Sequence, residues 1–160
     1  MQVLRSQKFL PLLWLFFLCP ATFAHAQDTQ KELVARGQYI FAVSGGCACH
    51  SERKGVYHAG ARPFQIPIGT VYSTNITSDP ETGLGNWTDQ QIIDALIKGL
   101  RKDGSRLLPL MPYTLYSGMA QEDLKALVAY LRSLKPVKKA TPELKTSAPF
   151  VRSVVTGIWL

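Results

Sequence analysis

Charge is scarce in this chain of 160 residues. Asp, Glu, Lys and Arg make up 18% of it against 46% apolar residues, a balance that excludes a disordered polyelectrolyte. Acidic side chains are the scarcer sign, 11 against 18 Lys and Arg, and leave a formal charge of +7. Beyond the first two dozen residues no stretch approaches the roughly 20 apolar residues of a membrane span. There is no internal repeat, and no nucleophile, acid–base pair or nucleotide-binding loop stands out, so the sequence does not read as an enzyme. Histidine, cysteine and methionine number three each, few enough for every candidate ligand to be weighed by itself.

What is present begins with an export pattern. Arg5 and Lys8 precede the apolar run from Phe9 to Leu18, and Ala24-His25-Ala26 places small residues at a cleavage point before Gln27. Residues 1–26 are therefore expected to be a signal peptide directing the chain to the periplasm. Its removal takes away two cations and lowers the charge from +7 to +5. The mature chain stays basic, suited to acidic protein surfaces, and an exported protein is not expected to meet nucleic acid. Residues 27–137 read as one domain. Residues 138–160 read as a C-terminal extension, with Val154, Val155, Ile158 and Trp159 as a docking segment.

Three helices are predicted. Asp28 to Val43 carries Leu33, Val34, Gly37, Ile40 and Phe41 at helical spacing and ends in Ser44-Gly45-Gly46. Thr88 is a good N-cap for Asp89 to Lys102, where Ile92, Ile93, Leu96, Ile97 and Leu100 form a stripe and Asp103-Gly104 closes the element. Gln121 to Leu134 repeats the pattern through Leu124, Leu127, Val128 and Leu131 until Pro136 stops it. Between the first two helices, Ser51 to Asn86 is rich in Gly, Pro, Thr and Asn, so no long regular element fits there. A loop of that length in a small domain wraps something or is functional.

The chemistry concentrates at Cys47-Ala48-Cys49-His50. In the C-x-x-C-H pattern two thiols add to the haem vinyl groups and the adjacent imidazole ligates the iron. Here the spacing is C-x-C-H, with Gly46 at the first cysteine position. Helical side chains two apart are rotated by about 200°, so Cys47 and Cys49 cannot both meet one haem edge without local distortion. A single thioether from Cys49 is the expected minimum. These residues taken alone also allow a strained Cys47–Cys49 disulfide or a metal site built from Cys47, Cys49 and His50. A histidine-ligated haem of an electron carrier often takes methionine on its other side. Met111 lies between Pro109 and Pro112 in a rigid, non-helical stretch, whereas Met119 precedes a helix and is better placed to pack on its first turn. If neither bound iron, the protein would be a five-coordinate haem sensor. His58 reads as a surface residue of the Gly-rich loop, and Trp87, Tyr113 and Tyr116 as candidates to line a crevice. Arg101, Lys102, Arg106, Lys135, Lys138 and Lys139 form a possible basic rim for acidic partners.

The run from Ala35-Arg36-Gly37-Gln38-Tyr39 through Gly46-Cys47-Ala48-Cys49-His50 resembles the opening of class I cytochrome c domains. Pro67-Ile68-Gly69-Thr70-Val71-Tyr72, Thr74-Asn75-Ile76-Thr77-Ser78-Asp79, Thr82-Gly83-Leu84-Gly85-Asn86-Trp87 and Met111-Pro112-Tyr113 are similar to strings in the cytochrome c subunits of periplasmic alcohol and gluconate-type dehydrogenases. The resemblance covers roughly residues 33 to 137. It implies an all-α fold of three main helices and long loops around one covalent haem c, with His50 proximal, Met111 distal and the Asn75-to-Trp87 loop packed about the haem and its propionates. It also implies an electron carrier serving a periplasmic dehydrogenase subunit or another redox protein, on the way to the respiratory chain. In that family the domain commonly occurs three times in one chain, and here it occurs once.

Overall fold

The computed structural model describes residues 21–67, 69–143 and 145–146, with side chains described for 29–46, 49–67 and 69–143. The expected export segment and docking segment fall largely outside these residues. Three helices carry the domain: α1 (Ala21–Val43), α3 (Asp89–Lys98) and α5 (Gln121–Ser133). Two single turns, α2 (Gly46–Cys49) and α4 (Tyr113–Tyr116), are set between them. Among the described residues no helix is long and apolar enough to cross a membrane.

Helix α5 is the centre of the core because its apolar residues fall on more than one face. Leu124, Leu127, Val128, Tyr130 and Leu131 are buried together with Phe41 of α1 and Ile92 and Ile93 of α3. Helices α1 and α5 come close together at Gly37. A Cβ there would meet the Ala126 carbonyl, with its carbon at 2.5 Å, and the Tyr130 Cβ at 2.8 Å. Only a residue without a side chain lets the two backbones lie that near. Arg36 of α1 ties the same crossing from outside through a 2.8 Å bond from Nε to Asp123.

Helix α3 starts as the sequence predicts. Thr88 Oγ1 accepts the Gln91 amide at 3.2 Å, while Gln91 Oε1 accepts the Thr88 amide at 2.9 Å, so two otherwise unpaired N–H groups are satisfied. It ends earlier than predicted, at Lys98 rather than Lys102, because Gly99 takes a left-handed conformation with φ 65° and turns the chain out. Asp103 and Gly104 instead form the tip of a small reversal that brings Leu100 beside Arg106. There the Ser105 amide donates to the Asp103 carboxylate at 2.9 Å.

The all-α expectation needs one correction. The loop after α2 contributes two strands to a small antiparallel sheet in the order β1 (Pro63–Ile66), β2 (Gly69–Tyr72), β3 (Lys145–Thr146). Phe64 pairs with Val71 and Gln65 with Thr70, a short hairpin whose branched and aromatic residues suit a pleated surface. Strand β3 adds to β2 through Gly69–Thr146 and Thr70–Lys145, so the chain beyond Val137 returns to the domain.

A buried polar knot fastens that return. Asn75 is 2% exposed and Thr77 1%. The Asn75 side-chain oxygen accepts from the Thr77 amide at 3.0 Å and from its hydroxyl at 2.7 Å. Its amide nitrogen donates to Thr82 Oγ1 and to the carbonyls of Val137 and Lys139. Lys138 and Lys139 pair with Glu81 and Glu52 at the surface, so these two cations of the expected rim are engaged in intramolecular ion pairs. Replacing Asn75 by Ala strands several buried partners, each costing roughly 1–3 kcal/mol. Asn75→Ala is expected to lower unfolding stability in urea by about 3 kcal/mol. An unchanged midpoint would show the knot to be dispensable.

Candidate haem-binding site

The segment bearing Cys49 and His50 is delivered by α1 and shaped by Gly45, whose φ of 75° redirects the chain into the single turn of α2. His50 caps that turn, its amide bonded to the Gly46 carbonyl at 3.3 Å. The His50 carbonyl accepts the Gly60 amide at 2.9 Å, and Ser51 Oγ accepts the His58 amide at 3.0 Å. The loop that follows is thereby folded back on the histidine.

The imidazole of His50 is fixed by one bond: Nδ1 lies 2.8 Å from the Thr74 carbonyl oxygen. A carbonyl only accepts, so Nδ1 carries the proton and Nε2 keeps its lone pair free. Gly60 lets that carbonyl lie so near the loop, since a Cβ there would stand 2.5 Å from the Thr74 oxygen and 2.6 Å from the Asn75 amide. Burial lowers the His50 pKa below its ordinary value; the bond to Thr74 opposes that shift, and the charge of nearby His58 adds to it. The neutral ring is the form that ligates a metal.

Cys49, next to His50, is an exposed free thiol. The side chain of Cys47 lies outside the described residues. Met111 is half-buried in a tight non-helical loop, its amide donating to the Leu108 carbonyl at 3.3 Å and its own carbonyl accepting from Tyr113 at 2.8 Å. Pro109 and Pro112 stand on either side of it. Tyr116 at the end of α4 donates its hydroxyl to the Ser44 carbonyl at 3.1 Å, tying the methionine loop to the turn before the cysteines. The Tyr113 ring fills the space over Gly99. Met119, by contrast, packs against the hydrophobic core, as does Trp87.

Sequence reasoning missed two contributors here. Thr74 acts through its backbone carbonyl, which no residue type advertises. His58 was expected at the surface, yet its half-buried ring stands edge-on to Phe41 at 5.3 Å and faces Tyr130 at 6.3 Å. Burial lowers its pKa as well. Its position follows from a φ of 66° that aims the side chain inward, a conformation the sequence does not signal.

The donor set is a neutral imidazole with Nε2 free, a thiol beside it and a thioether in a rigid loop, which fits a c-type haem. The comparisons agree on the class. The family model for cytochrome c matches residues 34–135, and the chain belongs to that family. It is 40% identical over 137 residues to the cytochrome c subunit of the quinone alcohol dehydrogenase of Gluconobacter oxydans, covering 85% of this chain and 29% of that one. It is 39% identical over 151 residues to the fructose dehydrogenase cytochrome subunit of Gluconobacter japonicus, covering 89% and 31%. It is also 40% identical over 142 residues to the gluconate 2-dehydrogenase cytochrome c subunit of Pantoea cypripedii, covering 86% and 32%. The chain thus spans about a third of the length of these relatives.

Proposed function

We propose that this chain is a periplasmic c-type cytochrome with one covalently attached haem, coordinated by His50 and Met111, that relays single electrons from a dehydrogenase subunit towards the respiratory chain. The carrying observation is the 2.8 Å bond between His50 Nδ1 and the Thr74 carbonyl, which orients the ring and leaves Nε2 as the donor atom. When bound, the haem supplies a one-electron iron couple. His50 would hold the iron through Nε2, its ring kept from rotating by the bond to the Thr74 carbonyl. Met111 would supply the second ligand, which would raise the potential and leave no position for a substrate. In this reading the 75–87 loop frames the group without the Asn75 amide, whose nitrogen and oxygen are both engaged internally. The relatives named as subunits of alcohol, fructose and gluconate dehydrogenases support a dehydrogenase as donor, and the protein itself as carrier rather than catalyst.

The test is expression in the periplasm alongside the haem c maturation system, followed by visible spectra. The expected outcome is a chromophore that survives denaturation and acid–acetone extraction, with a ferrous form that does not bind carbon monoxide. Ready carbon monoxide binding would assign the five-coordinate sensor instead. A colourless protein would return the weight to metal binding at Cys47, Cys49 and His50.

A further inference from the structure

We infer that the haem is attached through Cys49 alone, with Phe41 occupying the space that a second attachment point would need. This deepens the proposed function and rests on it. In the turn Gly46–Cys49, positions three apart lie close to one face, whereas positions two apart diverge by about 200°. The position sharing the face of Cys49 is therefore 46, which is glycine. Gly46 is also closed to any other residue. A Cβ built on it would meet the Phe41 ring at Cε2, with Cδ2 at 2.7 Å and Cζ at 2.8 Å. Phe41 cannot swing aside cheaply: it is 5% exposed and wedged between the rings of His58 and Tyr130, each 5.3 Å away. The same ring that consolidates the α1–α5 core thus excludes a side chain from the first position of the attachment motif.

The exposed Cys49 thiol is placed to react. Its sulfur forms a bond to one carbon of a haem vinyl group, and the thiol hydrogen ends on the neighbouring carbon as the double bond is lost. The addition is balanced without oxidant or reductant. The second vinyl group stays intact, and Cys47 keeps its thiol.

The experiment is peptide mapping of the denatured holoprotein after alkylation with iodoacetamide, paired with its pyridine haemochrome spectrum. The expected result is haem on Cys49, an alkyl group on Cys47 and a band shifted from the two-thioether position. Cys47→Ala should keep the covalent haem and the same band, while Cys49→Ala should lose the haem adduct. Because Cys49→Ala can fail by misfolding, the wild-type map and Cys47→Ala decide the matter. Haem on both cysteines, or on Cys47, overturns the inference while leaving the cytochrome reading intact. Absence of haem from the wild type overturns both.

Discussion

Gly37→Ala should unfold at markedly lower urea concentration than the parent, with a loss of about 3 kcal/mol. The sign is what makes the test informative. Alanine in place of glycine within a helix ordinarily adds roughly 0.5–1 kcal/mol. At Gly37 the added carbon meets the Ala126 carbonyl and the Tyr130 Cβ, which belong to the backbone and stem of α5 and cannot rotate away. Relief requires α1 and α5 to separate, and that opens the packing of Phe41 against Leu127, Tyr130 and Leu131. Gly37→Val should go further and leave little folded protein, given a total stability of roughly 5–15 kcal/mol for such domains. Chemical denaturation followed by circular dichroism measures both variants. A more stable Gly37→Ala would mean that the helices are farther apart than described.

Met111→Ala is expected to cause the largest change in redox behaviour. Removing the thioether opens the sixth position of the proposed haem, so the ferrous protein should bind carbon monoxide and the midpoint potential should fall by on the order of 100 mV or more. The control is Met119→Ala. Met119 packs on the core beside α5, so its truncation should lower stability by about 2 kcal/mol and leave both spectrum and potential near those of the parent. Spectroelectrochemistry and carbon monoxide titration of the two variants separate ligation from packing. Exchange of the two phenotypes would make Met119 the ligand.

Much of the helical frame was legible because the apolar spacing in α3 and α5 is regular. Ile92, Ile93, Leu124, Leu127, Val128 and Leu131 were all expected inside and all are buried. The end of α3 was misplaced because two glycines competed for the role. Gly99 adopts the left-handed cap, and Gly104, with φ 80°, belongs to the turn beyond it. The sheet escaped notice for a different reason: its strands are two to four residues long, too short for alternation to be distinguished from loop composition. At the site, His50, Cys49 and Met111 stood out because their chemistry is carried by residue type. The Thr74 carbonyl and the inward turn of His58 did not, since both depend on contacts made only once the 51–75 loop has folded back.

The pairing of α1 with α5 sets an order of events in time. The two helices lie toward opposite ends of the described chain, and a polypeptide grows from its N-terminus. Cys49 and His50 are therefore made well before Ser133, and in the interval the Phe41 ring has no Tyr130 to lean on. Under the proposed function haem meets the chain only after export, so the interval that matters is the one between arrival in the periplasm and the docking of α5 on α1. Docking of α5, and then the Asn75 knot with Val137 and Lys139, ends that interval with Phe41 held against Tyr130 and the Cys49 thiol still exposed.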